Sequence, residues 1–175
     1  DFRKSFLRIF QSPRLTLAAV NGHAFAGGFI LALLCDFRIG AKGNARYSIN
    51  EVPIGVPMPS IYTEIIRYRL GSPAATEAIL SGDVYDEEAA IKLGFLQQTT
   101  DKDELITAAV TRAQTLPKDC LLAYAQSKKN LQGPVMQTIN NDCIKLDEET
   151  LKIIAHDESI KAQQRTYKQL LARKR

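Results

Sequence analysis

The 175-residue chain is 45% apolar and 24% charged with a formal net charge of +4, an ordinary globular composition that excludes general disorder. No apolar run approaches the roughly 20 residues that a membrane-spanning helix needs, and the charged start Asp1-Phe2-Arg3-Lys4-Ser5 does not read as a signal peptide. Cys35, Cys120 and Cys143 are far apart and in no CxxC spacing, which argues against a disulfide framework or zinc site and fits a reducing compartment; His23 and His156 are too isolated for a metal cluster.

In chain order, Phe2, Phe6, Leu7, Ile9 and Phe10 recur at helical spacing and predict an amphipathic helix over 2–11, stopped by Ser12-Pro13. Leu15 to Val20 is a short apolar run ending at Asn21-Gly22, which predicts a buried strand and a turn. Gly27-Gly28 opens the apolar segment Phe29 to Cys35, expected as a helix buried on all sides. Phe37 to Ala41 reads as a second strand, residues 42–46 as a polar turn, and the proline-rich 47–58 as irregular.

Ile61 to Leu70 is predicted helical and closed by Gly71, with Ser72-Pro73 capping the next helix. Asp86 to Leu93 is a short helix, and 102–115, 117–131, 134–154 and 157–174 read as helices. Strand and helix thus mix early, whereas the later part is helical. The expected division is 1–115 for the mixed part and 116–175 for the helical region.

Charge is uneven. Residues 1–50 hold seven Lys/Arg against two Asp/Glu, and 161–175 hold six bases and no acid. The basic tail Lys161, Arg165, Lys168, Arg173, Lys174, Arg175 suits a polyanion or a phosphorylated ligand, or else a solvated helix end with cations matched to the helix dipole. No aromatic interleaving supports nucleic-acid binding.

GxGxxG, GxxxxGK[ST], GxSxG and HExxH are all absent. Two stretches carry chemistry. In Val20 to Gly28 a buried strand turns into a buried helix with two glycines at its start. First-turn amides have no intrahelical acceptor, and glycine lets a ligand oxygen approach them. The turn suits an oxyanion site or, equally, close helix–strand packing. In Tyr47 to Pro57, Glu51 is a lone acid in an apolar loop; burial would raise its pKa and make it a usable base, whereas exposure would leave a surface carboxylate.

The run Ala18-Ala19-Val20-Asn21-Gly22-His23-Ala24-Phe25-Ala26-Gly27-Gly28, followed by Ala32 to Ile39, resembles the signature of the crotonase superfamily (enoyl-CoA hydratase/isomerase). Ala45-Arg46-Tyr47 before the Glu51 loop, Leu80-Ser81-Gly82-Asp83 and Glu87 to Leu96 resemble later segments of the same pattern. The resemblance implies an α/β fold: part of a crotonase-like ββα spiral core followed by a C-terminal helical region. It also implies that a preceding segment, with the first strands, the first oxyanion amide and part of the CoA site, lies outside this sequence.

By that resemblance the substrate is an acyl-CoA thioester, there is no separate cofactor, and Gly27 supplies an oxyanion-hole amide. Gly28, Phe29, Ile30, Ile54, Pro57 and Met58 are expected around the acyl group. Hydratases of the family carry two glutamates; here the first position is Ile30, and the second is matched by Glu51 if one residue is inserted in the preceding turn. The one-glutamate pattern resembles the isomerases that shift a 3-enoyl to a 2-enoyl thioester. Val56-Pro57-Met58-Pro59 in place of a Gly-rich segment points to a dry pocket wall, or to plain loop divergence.

The alternatives are a hydratase or another crotonase reaction, and a non-catalytic CoA- or RNA-binding relative. The resemblance further implies a homotrimer or hexamer assembled through the helical region, with nucleic acid not expected as a partner. His23, Asp36 and Arg38 read as scaffold residues and Cys35 as inert. The end Arg173-Lys174-Arg175 is not an SKL-type signal, leaving bacterial cytoplasm or mitochondrial matrix.

Overall fold

A computed structural model describes residues 2–172. The five strands are β1 (Leu17–Val20), β2 (Ala24–Phe25), β3 (Phe37–Ala41), β4 (Tyr47–Ser48) and β5 (Gln98–Thr100). They form two separate parallel sheets, ordered β1-β3-β5 and β2-β4. Successive strands alternate between the sheets, so the chain winds as a spiral and does not extend one sheet. Helix α2 (Gly27–Leu34) completes the turn between β2 and β3.

Among the described residues eight further α-helices surround this spiral: α1 (Phe2–Phe10), α3 (Ser60–Leu70), α4 (Ser72–Ser81), α5 (Glu87–Lys92), α6 (Leu105–Gln114), α7 (Leu121–Asn141), α8 (Cys143–Ile154) and α9 (Asp157–Ala172). The amphipathic pattern of α1 is used as its spacing dictates. Phe6 packs edge-on to Tyr62 at 5.7 Å and Phe10 to Tyr68 at 5.6 Å, joining α1 to α3. Asp86 caps α5 by accepting from the Ala89 N–H at 2.9 Å. Asp147 of α8 accepts from the Ser60 N–H at 2.6 Å and so caps α3 from another helix.

Several expectations need correction. Strands β2, β4 and β5 are two or three residues long and carry no period that a sequence pattern could register. The 47–58 stretch is therefore not irregular throughout: it holds β4 and a single 3-10 turn at Val52–Ile54. Gly71, not Ser72, occupies the cap position of α4, with φ +80, and also closes α3. Helix α2 is not buried on all sides, because Leu31, Gly27 and Gly28 are exposed.

The expected break at 132–133, just before Pro134, is absent. Helix α7 runs through Pro134 and ends at Asn141. A proline inside a helix forfeits a backbone hydrogen bond. Here the buried stripe Lys128, Gln132, Val135 and Ile139 continues across it at helical spacing, and tertiary packing prevails. Val135, Ile139 and Cys143 belong to the same core as Phe29, Leu33 and Ile65, so the core runs without interruption across the 115/116 boundary.

The junction of α2 and β3 holds a buried ionic hub. Asp36 Oδ2 accepts from the Thr16 N–H at 3.0 Å, the Tyr124 hydroxyl at 2.8 Å and Lys128 Nζ at 2.7 Å. Arg69 lies 3.3 Å from Oδ1 and also donates to the Leu33 carbonyl at 2.9 Å. Burial opposes ionisation of Asp36, but the donors from Lys128, Thr16 and Tyr124 prevail and hold its pKa below the ordinary value. Burial, followed by donation to Asp36, pushes the Tyr124 hydroxyl well up. Nearby, Arg38 is buried and donates to the carbonyls of Phe95 and Cys35; burial lowers its pKa to about 10. These contacts match the scaffold role expected of Asp36 and Arg38.

Candidate active site

The two stretches singled out in the sequence meet because their strands pair in parallel. Ala24 and Phe25 of β2 lie against Tyr47 and Ser48 of β4. One further bond, from the Ala26 N–H to the Ser48 carbonyl at 2.9 Å, carries the pairing to the end of the strand. Both chains leave the same end of this pair, one into Ala26-Gly27 and the other into Ile49-Asn50-Glu51.

On the first limb, Ala26 has φ +49 and ψ −122, the one positive φ at a non-glycine among the described residues. Such a conformation costs on the order of 1–3 kcal/mol and persists only where surrounding structure over-determines it. It forms the corner between β2 and α2. The first helical bond runs from the Ile30 N–H to the Ala26 carbonyl at 3.1 Å, so the amides of Gly27, Gly28 and Phe29 have no intrahelical acceptor. A Cβ on Gly27 would meet nothing within 4 Å. Gly27 is exposed, with open space where a side chain would stand.

Phe29 and Ile30, by contrast, are buried in the core. Phe29 stacks on Phe95 with ring centroids 3.9 Å apart, and Tyr47 of β4 packs on the same ring at 5.1 Å. Phe95 therefore locks the first turn of α2 to the strand that leads to Glu51. Ile30 puts a buried apolar side chain at the position where the two-glutamate pattern has its first acid.

On the second limb, Glu51 begins the single turn Val52–Ile54, and its carbonyl accepts from the Val56 N–H at 2.9 Å. Its side chain is partly buried, and Oε2 is buried without a hydrogen-bond partner. Burial raises the carboxyl pKa, with only Glu51's own backbone N–H acting against it. A carboxylate held short of donors in this way is a stronger base than one in water. Ile54 and Pro57 are partly exposed beside it, and Met58 packs against the core.

Two glycines fix this loop from outside. The Gly82 carbonyl accepts from the Ser48 hydroxyl at 3.1 Å, and a Cβ on Gly82 would lie 2.3 Å from the Pro53 ring at a φ of +64. The sequence motif around Gly82 thus buttresses the Glu51 loop. Gly55, at φ +81, sits against α9: a Cβ there would lie 2.6 Å from that of Ala162, and the Ser159 hydroxyl donates to the Gly55 carbonyl. A Gly82→Ala substitution is expected to destabilise the protein by about 1–3 kcal/mol. Thermal melts check this, and lowered activity should accompany it because Pro53 moves with Glu51.

His23 is exposed, and its Nδ1 accepts from the Arg46 N–H at 2.9 Å, which fits the scaffold role expected of it. Tyr167, Lys161, Arg165 and Lys168 are exposed along α9, and Arg173, Lys174 and Arg175 lie outside the described residues. The described residues contain no group of His, Cys, Asp and Glu able to hold a metal ion. No described helix is long and apolar enough to cross a membrane. Sequence reasoning missed Gln163, whose amide nitrogen is buried without a partner. The only signal was a helical stripe of small and polar residues, Ser159, Ala162, Gln163 and Thr166, on an otherwise exposed helix.

A family model described as enoyl-CoA hydratase/isomerase matches residues 1–172. The chain is 34% identical over 114 residues to an enoyl-CoA delta isomerase 2, peroxisomal, of Arabidopsis thaliana, covering 64% of this chain and 48% of that one. It is 33% identical over 130 residues to a short-chain-enoyl-CoA hydratase of Clostridioides difficile, covering 74% and 83% respectively. The structure superposes on human mitochondrial delta3-delta2-enoyl-CoA isomerase with a TM-score of 0.88 at 23% identity, covering 97% of this chain and 66% of that one. The last match establishes the fold. The chain spans about half the length of the Arabidopsis relative.

Proposed function

The chain belongs to the enoyl-CoA hydratase/isomerase family, and from that we propose that it serves as a Δ3,Δ2-enoyl-CoA isomerase with Glu51 as its single proton-transfer group. The observation that carries this reading is the pairing of an unpartnered, buried Glu51 oxygen with an apolar, buried Ile30. One carboxylate can move a proton. Adding water across a double bond calls for a second group to activate or protonate, and Ile30 cannot supply it.

The substrate's thioester carbonyl would rest on the open Gly27 amide. Glu51 takes a proton from C2, the electron pair moves onto the thioester oxygen, and the enolate is held by that N–H. The dienolate then collapses toward C4, which receives the proton back from Glu51, and the double bond ends conjugated with the carbonyl. One such amide contributes about 2.7–4 kcal/mol to the transition state. The apolar side chains of Ile54, Pro57 and Met58 beside Glu51 would keep water from the dienolate. The test is to add trans-3-hexenoyl-CoA to the complete gene product and follow the ultraviolet band of the conjugated thioester. A rise supports isomerisation.

Gly27→Ala separates the amide's role from folding. Its Cβ meets no protein atom, so melting temperature should hold. On the proposed reading the thioester rests in the open space that this methyl would enter, so kcat/KM should fall although the N–H itself is kept.

Hydration is the second reading. The Clostridioides hydratase supports it, at 33% identity over 130 residues against 34% over 114 for the Arabidopsis isomerase. It would need its second proton-transfer group from beyond this chain. Assembly into a trimer or hexamer is supported by exposed apolar side chains on α7 and α8, including Leu122, Leu131, Leu151 and Ile153. Free Cys35, Cys120 and Cys143 support a reducing compartment, in line with a mitochondrial matrix or bacterial cytoplasm.

A further inference from the structure

Helix α9 lies on the Glu51 loop, and its inner face is chemically specific there. Ser159, Ala162, Gln163 and Thr166 fall at helical spacing, and all are at least partly buried on a helix whose other positions are mainly exposed. Ser159 bonds the Gly55 carbonyl and Ala162 packs on Gly55, four residues beyond Glu51. The loop is wound tightly enough that the Val56 N–H bonds the Glu51 carbonyl at 2.9 Å. The α9 contact therefore sits within one turn of Glu51.

Two buried polar atoms lack partners, one on each of the packed elements: Glu51 Oε2, an acceptor on the loop, and Gln163 Nε2, a donor on α9 next to the Ala162 that packs on Gly55. Helical side chains lean toward the helix N-terminus, so Gln163 reaches back over the turn that carries Ser159. Buried polar atoms without partners are rare and costly, and catalytic hydrogen bonds often close only in the substrate complex.

We propose that Gln163 is a positioning residue for Glu51, its side-chain amide donating to the Glu51 carboxylate in the substrate-bound enzyme. The role rests on the isomerase reading only for its consequence in turnover; the contact itself does not. An N–H donor favours the charged carboxylate, holds one oxygen in place and leaves the other for the proton at C2 and C4. It also limits how far burial lifts the carboxyl pKa.

The charged groups on the elements packed against the loop do not compete for this role. Glu77 of α4, Asp83 beyond it, and Asp157, Glu158, Lys161, Arg165 and Lys168 of α9 are all exposed. None of them enters the shift of Glu51, which arises from burial and its own backbone N–H.

The experiment uses the complete gene product as wild type, Gln163→Met and Gln163→Asn, with the thioether analogue of a 2-enoyl-CoA bound. Carbon-13 NMR of labelled glutamate, assigned by loss of the signal in Glu51→Gln, reads the titration of Glu51. The pH profile of kcat/KM on trans-3-hexenoyl-CoA is the second readout. Loss of the donor in Gln163→Met is expected to move both upward by about one unit. Gln163→Asn, which keeps the amide but shortens its reach, should fall between wild type and Gln163→Met and covers the case in which the methionine variant fails to fold. A purely structural role would lower the melting temperature and leave the titration in place.

A Glu51 titration unchanged in folded variants overturns the proposal. If the titration moves but wild type turns over no 3-enoyl thioester, the Gln163 contact stands and the isomerase reading falls. If wild type isomerises and the titration does not move, the reverse holds.

Discussion

Glu51→Gln is expected to reduce isomerisation of a 3-enoyl-CoA by roughly a thousand-fold or more while leaving the fold intact. General acid–base catalysis by one positioned group contributes on the order of 10²–10⁴-fold, and in the proposed mechanism the same carboxylate both removes and returns the proton. Its Oε2 has no hydrogen-bond partner in the protein, so an amide of the same shape breaks no contact of that atom. Melting curves should therefore overlay those of wild type.

Wild type should also show an acidic limb in kcat/KM. Burial raises the Glu51 pKa, so activity grows as pH rises through a value above the ordinary glutamate figure of about 4.3. The limb should be missing from the residual rate of Glu51→Gln. A variant that keeps most of its activity would show that another group carries the proton.

Asp36→Ala is expected to cost about 3–5 kcal/mol of stability, the range for breaking a buried ion pair by removing one partner. Lys128 is left buried, with only 7% of its side chain exposed, and Arg69 and Tyr124 lose the same acceptor. Against a total of roughly 5–15 kcal/mol, that loss leaves little margin. The hub joins the residue before β1 through Thr16, α3 through Arg69 and α7 through Tyr124 and Lys128. Its failure should loosen the whole early part from the helical region.

The pH dependence has a definite sign. The folded pKa of Asp36 is depressed, so its contribution is fully present above the unfolded value of about 3.9 and is lost as pH falls through the folded pKa. Denaturant melts should show the wild-type advantage over Asp36→Ala at neutral pH and its narrowing in acid.

The parts of the molecule legible in sequence are those with a long period or a strong local signal. Helix α1 follows from its phenylalanine spacing, and the α2 corner from its paired glycines. Glu51 was marked out by being the lone acid in an apolar loop, and burial does raise its pKa. The two-residue strands were not legible, because their pairing depends on residues far apart in the chain. Yet those strands make the segments of Gly27 and Glu51 leave the same end of one strand pair.

Helix α7 misled for the opposite reason. Pro134 suits the start of a new helix, but the buried stripe through Val135 and Ile139 continues one helix across it. Gly82 stood out as part of a motif, but its purpose needed Pro53 beside it. Gln163 shows in sequence only as part of a stripe of small and polar residues; the role proposed for it comes from the packing of α9 on the Glu51 loop.

The choice between isomerase and hydratase rests on Ile30, and one measurement addresses it most directly. The complete gene product is incubated with trans-2-hexenoyl-CoA, and the products are separated and weighed by mass spectrometry. With Glu51 as the single proton-transfer group, the conjugated thioester should persist, apart from a small fraction returned to the 3-enoyl isomer. No product heavier by one water should form. Steady accumulation of 3-hydroxyhexanoyl-CoA would contradict the account and show that a second group beside Glu51 activates water.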